Sequence, residues 1–119
     1  MWKFVDGFNI NANVPYVCNV DTDFADDTAA DYTDLGITLH NANGWQNTLE
    51  QISGGFLPAS VGASGTTKIT DYYYQDGTGW RIALLGGYAY HGAYTGGFCW
   101  TLYSVAADVH AYISGRLCY

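Results

Sequence analysis

Positive charge is what this chain has least of. Its 119 residues hold four Lys and Arg against eleven Asp and Glu, a net charge of −7. So few bases could displace few counterions from a phosphate backbone, which argues against nucleic-acid binding. Charged residues of both signs make up only 13% of the chain, about half the usual share. No apolar run approaches the roughly eighteen residues of a membrane span, so no membrane insertion is expected. No basic segment leads into an apolar one, so no signal peptide is visible. Met1-Trp2-Lys3-Phe4 opens directly into aromatics and reads as a piece cut from a longer chain, with Met added. Cysteine is limited to Cys18, Cys99 and Cys118, far apart and without a C-x-x-C pair, so no structural zinc site is expected. Three thiols cannot all pair internally. Free buried thiols are one reading and a Cys18–Cys118 disulfide is the other.

What is present is apolar and aromatic: 49% hydrophobic and 17% aromatic residues. That composition folds, and the length suits one domain over residues 1–119 that buries roughly two thirds of its unfolded surface. The charge is uneven. Residues 1–50 carry eight acids and one base, whereas residues 51–119 carry three of each, with twelve of the fifteen glycines.

Residues 2–19 read as extended pieces broken by turns, with a strand at Val14–Cys18 in which Pro15 must lie near the start or on an edge. Phe24, Thr28, Tyr32 and Leu35 recur at helical spacing, with acids in the first turn and Gly36 beyond, which predicts a helix over 21–35. Trp45, Leu49 and Ile52 predict a second, short helix over 45–52, stopped by Gly54-Gly55. Strands are predicted at 68–74, 80–85, 97–102 and 113–119, with a turn at Asp76-Gly77. Helices in the first half and antiparallel strands in the second predict an α+β fold.

Asp21, Asp23, Asp26 and Asp27 fail the helix-loop-helix calcium pattern, since Ala25, Asp26 and Tyr32 occupy its fifth, sixth and twelfth positions. No metal or other cofactor is expected. Ser104, Cys99, His91, His110 and Asp108 supply the residue types of a nucleophilic triad, but no G-x-S-x-G elbow frames them. The chain therefore reads as a non-enzyme. Residues 88–112 hold five Tyr and two His among Ser, Thr, Gly and Ala, with no Lys, Arg, Glu, Gln or Met. Tyr among small spacers is the composition of antibody combining loops, where each ring gives large amphipathic area at low entropy cost. Tyr as filler at the edge of a core is the alternative. Trp100 alternates with Phe98 and Leu102 and is expected in the core.

Two stretches carry a resemblance. One runs Asp71-Tyr72-Tyr73-Tyr74, then Gly79-Trp80-Arg81-Ile82-Ala83-Leu84-Leu85-Gly86-Gly87. The other runs Gly97-Phe98-Cys99-Trp100-Thr101-Leu102-Tyr103-Ser104 and closes with Ile113-Ser114-Gly115-Arg116-Leu117. Together they resemble the C-terminal variable domain of diversity-generating retroelement target proteins from phages and gut bacteria. The resemblance implies a C-type-lectin fold with a fixed scaffold and a hypervariable face. In that family adenines of a template repeat are misread, so AAC and AAT codons become NNC or NNT. Such codons never encode Lys, Glu, Gln, Met or Trp, and residues 88–112 obey the rule apart from Trp100, a scaffold position.

Carried over by position, the resemblance assigns ligand binding to Tyr88, Tyr90, His91 and Tyr94 in a first loop. It adds Thr101, Tyr103 and Ser104, then Asp108, His110 and Tyr112, with Val105 and Val109 marginal. Gly86, Gly87, Gly92, Gly97, Gly115, Arg116 and Leu117 match scaffold positions. The E-P-N or Q-P-D loop of calcium-dependent lectins is absent, as is the paired-cysteine motif of the sulfatase-activating enzymes that share that fold. The reading is thus a non-enzymatic receptor- or ligand-binding domain with a diversified, nearly uncharged face. Its partner would be a protein or glycan on a bacterial cell surface, and its place a phage tail tip or fibre, or a bacterial surface adhesin. A carbohydrate-binding module and a structural tail protein are the alternatives.

Overall fold

The computed structural model describes residues 2–52, 55–64, 66, 71–87, 94, 99–108 and 113–114. The chain turns back on itself at once. β1 (Trp2–Asn11) and β2 (Val14–Val17) form a hairpin whose two loop residues, Ala12 and Asn13, both have positive φ, at 49° and 65°. That is what the favoured two-residue turn demands, although Gly is the usual supplier. Here the turn is held from outside: the Ala12 N–H donates to the Gly79 carbonyl at 3.2 Å, and the Asn13 carbonyl accepts from the Leu39 N–H at 2.8 Å.

The described residues form one mixed nine-stranded sheet that curls into a half-barrel. The further strands are β3 (Thr33–Asp34), β4 (Gly44–Ile52), β5 (Gly55–Val61), β6 (Tyr72–Gln75), β7 (Trp80–Leu85), β8 (Trp100–Leu102) and β9 (Ile113–Ser114). Their order is β3-β2-β1-β7-β8-β6-β4-β5, with β9 beside the first residues of β1. β6–β8 and β1–β9 are parallel pairs; the others are antiparallel. Pro15 is the second residue of β2, as its missing donor requires, and Pro58 lies in β5, the last strand of the order.

The expected α+β arrangement with a C-type-lectin fold and two helices is overturned: the protein is nearly all β. Residues 21–35 make a single 3-10 turn at Asp21–Asp23, then an irregular loop into β3. Aspartate is the cause. Asp27 and Asp31 take positive φ, and Asp34 Oδ1 accepts from the Gly36 N–H at 2.7 Å, so these side chains favour turns over a helical ladder. Residues 45–52 lie in β4. Bulges at Gln46/Thr48 and Thr48/Leu49 shift its pairing with β5. Trp45 and Ile52 pack in different places, Trp45 against Tyr72 and Ile52 against the main core, so their helical spacing marks no common face.

The strand predictions fare better where they can be compared. β2, β7 and the end of 97–102 lie where expected, β6 covers the end of 68–74, and β9 opens 113–119. Residues 68–70 and 115–119 lie outside the described residues. Both faces of the central sheet are covered. One buries Phe8, Ile10, Leu57, Tyr73, Ala83, Trp100 and Leu102, closed over by Leu39 with Leu35 and Ile37. The other buries Ile82, Leu84 and Cys99, with Tyr74 and Ala106 against them. This explains why Ile82-Ala83-Leu84 reads as an unbroken apolar run. Each fully buried Ile or Leu contributes about 2 kcal/mol. Trp100, 8% exposed, stacks on Phe8 at 6.2 Å, as expected of a core residue. Cys18 and Cys99 are free and buried, which favours the free-thiol reading over a Cys18–Cys118 disulfide. Among the described residues no helix is long and apolar enough to cross a membrane.

β1 bulges as it passes β7: Phe4 faces Leu84, yet Asn9 faces Ile82. Gly7, with φ +70°, sits in the bulge, where a Cβ would lie 2.5 Å from the Cys18 carbonyl oxygen and 2.8 Å from the Phe24 ring. Gly36 shares that φ but has nothing within 4 Å. Gly7→Ala is expected to cost at least about 2 kcal/mol in denaturant melts, and Gly36→Ala, which isolates the backbone contribution, about 1 kcal/mol.

Candidate functional site

β4 and β6 meet at two residue pairs, and one of them, Trp45 opposite Tyr72, founds an aromatic cluster. The strands are locked around it. Gln46 N–H donates to the Asp71 carbonyl at 3.1 Å, and Asn43 Oδ1 accepts from the Gln75 N–H at 2.7 Å. Strand alternation sends Tyr73 into the main core and leaves Tyr72 and Tyr74 on the opposite face. Trp45 meets Tyr72 edge-on at 5.4 Å, and Tyr72 lies 4.7 Å from Tyr74. Tyr94 completes the group. Its ring stacks on Trp45 at 4.9 Å and 14°, and meets Tyr72 at 5.1 Å and 75°. Tyr94 is 43% exposed, and the other three rings are half-buried. Offset and edge-to-face contacts of this kind are favoured by ring quadrupoles, each worth about 1 kcal/mol beyond the area buried.

Of the residues that the resemblance assigns to ligand binding, only Tyr94 is joined to this cluster by the described contacts. Thr101 is buried in β8, beside Tyr74 and Leu84, rather than displayed. Tyr103 is 62% exposed just beyond β8. Ser104 follows, half-buried, and its carbonyl accepts from the Ile82 N–H at 3.0 Å. Asp108 closes its own turn, with Oδ2 accepting from the Val105 N–H at 3.1 Å. Tyr88, Tyr90, His91, His110 and Tyr112 lie outside the described residues, as do Val109, Gly92, Gly97 and residues 115–117. Gly86 and Gly87 both have positive φ, which suits their scaffold assignment. Sequence reading missed Trp45, Tyr72 and Tyr74 as site residues. The signal was there: in a Tyr-Tyr-Tyr strand, burying the middle ring displays the outer two.

The cluster offers ring faces, ring edges and phenol hydroxyls, which suit stacking and hydrogen bonding to a ligand. Cys99 makes a poor nucleophile. Burial foremost, and then the Asp71 carboxylate, push its thiol from 9.0 up to about 12, although a backbone hydrogen bond with Tyr72 draws it partly back. Among the described residues no group of three His, Cys, Asp or Glu is placed to hold a metal ion.

Two outcomes are expected. Tyr94→Ala, which removes both ring contacts, should lower stability by about 2 kcal/mol in denaturant melts, while Tyr94→Phe, which keeps them, should not. Cys99 should make stability fall as pH rises. Below 9.0 the thiol is neutral in both states; above it the unfolded chain ionises first, and the contribution is lost towards about 12. Tyr73, whose phenol burial also raises above its ordinary 10.0, adds a decline of the same sign. Melts of Cys99→Ala across that window should therefore show a shallower alkaline decline than the parent chain. Compared with known proteins, the chain matches no family, no curated protein and no solved structure.

Proposed function

We propose that this chain is a non-enzymatic ligand-binding domain whose Tyr-rich stretch, residues 88–112, forms a binding face diversified by a retroelement. The observation that carries the reading is the placement of Tyr94. This residue of the stretch lies flat on Trp45 and edge-on to Tyr72, half-exposed, on a platform held by paired strands. A platform ordered before binding loses little entropy on contact with a ligand. Exposed Tyr103 offers a second large aromatic surface from the same stretch. The restricted residue types of 88–112 supply the independent support, since NNC and NNT codons give them a common cause. The reading rests on those residues and no longer on a lectin fold. The partner would be a protein or glycan on a bacterial cell surface, with the domain on a phage tail or a surface adhesin. Few charges mark the face, so binding should depend on buried aromatic anchors and only weakly on salt.

The same cluster favours a second reading, a carbohydrate-binding module, because an exposed ring such as that of Tyr94 can also stack on a sugar. The decisive experiment is to sequence the DNA around the coding region for residues 88–119. The expected result is a near-copy that differs only where it carries adenine, beside a reverse-transcriptase gene. Finding no such copy would overturn the diversified face and move the carbohydrate reading ahead.

A further inference from the structure

The bulge in β1 leaves a cleft of about 150 Å³ on the face that carries Ile82. Asp6, Asn9, Phe24, Asp26, Tyr32 and Ile82 are among its walls, and it shares no residue with the Trp45–Tyr94 cluster. Its chemistry is one-sided. Asn9 is 4% exposed, and both hydrogens of its amide are spent, on the Ala25 carbonyl at 2.7 Å and the Thr28 carbonyl at 3.0 Å. The Tyr32 hydroxyl donates to the Ala25 carbonyl at 3.0 Å and accepts from the Ala25 N–H at 3.1 Å. With those hydrogens used, the side chains have acceptors left to offer: Asn9 Oδ1 and the carboxylates of Asp6 and Asp26. Among the described residues no Lys, Arg or His lines the cleft. The remaining walls are apolar or aromatic, including Phe24, which is 41% exposed.

The matching ligand carries donors alone, a positive charge and an apolar stem. An ammonium has three donors and no acceptor, and aromatic walls attract it further. Acceptors from three separate side chains suit a rotatable ammonium better than the flat fork of a guanidinium. A cavity of this volume holds a benzene-sized group of about six heavy atoms, and a lysine side chain is of that size. We infer that this cleft receives a lysine side chain presented by a protein partner. The acids of residues 1–50, eight against one base, attract such a partner over a longer range.

The test is a nuclear magnetic resonance titration of the full chain with N-acetyl-lysine methylamide, and with the norleucine analogue, which lacks the ammonium. Saturable shifts at the Gly7 and Ala25 amides and the Asn9 side chain are expected for lysine, with Kd about 1 mM for one isolated side chain. Added salt should weaken them. Asp6 and Asp26 are exposed, so Asp6→Asn with Asp26→Asn should keep the fold and weaken binding about tenfold. Absent or non-saturating shifts, an equal response to norleucine, or an unchanged Kd in the folded double variant would each overturn the inference. The lysine-against-norleucine comparison decides the matter on the unaltered chain if the variant fails to fold. None of these readouts depends on the Tyr-rich face, so failure here leaves the retroelement reading intact, and the converse holds.

Discussion

Hydrogen bonding by β1 to three other strands is the constraint on which the rest of the molecule depends. Its far half pairs with β2, its first residues with β9, and both ends with β7. A strand gripped on both sides cannot slide without breaking several ladders, and a one-residue slip would turn Ile10 out of the core. The bulge at Gly7 reconciles these pairings by absorbing extra residues of β1 opposite β7. It also brings the β1 backbone against Phe24 and Cys18, closer than any side chain at Gly7 would permit. The cleft beside Asp6 and Asn9 is the other side of that accommodation.

The strands that were legible in the sequence are those whose burial is simple. Ile82 to Leu84 are buried on both faces and read as a run; Pro15 could sit in few places and sits in one of them. What misled was regular spacing without a common face. Trp45, Leu49 and Ile52 fall at helical intervals, but a bulged strand can put apolar residues at such intervals while packing them against different neighbours. Phe24, Thr28, Tyr32 and Leu35 have the same period, and the aspartates between them decide the backbone locally. The hairpin turn at Ala12-Asn13 was equally hidden, because tertiary hydrogen bonds hold a conformation that glycine would normally supply.

Site legibility followed the same division. Composition singled out Tyr94 through the density of Tyr around it, which needs no knowledge of the fold. Trp45 and Tyr72 join it only because β4 and β6 lie side by side, and that pairing spans residues distant in sequence. Thr101 shows the opposite error: a position matched by resemblance to a displayed residue is buried in the middle of the sheet.

The pairing of Trp2 with Ile113 carries a consequence for biosynthesis. β1 leaves the ribosome first among these strands, yet its neighbour β7 follows only after five further strands and β9 only after seven. Until then its open edges can bond to any other extended segment. Such non-local closure places folding in the range of roughly milliseconds to seconds, and the sheet can be completed only after β9 has been made.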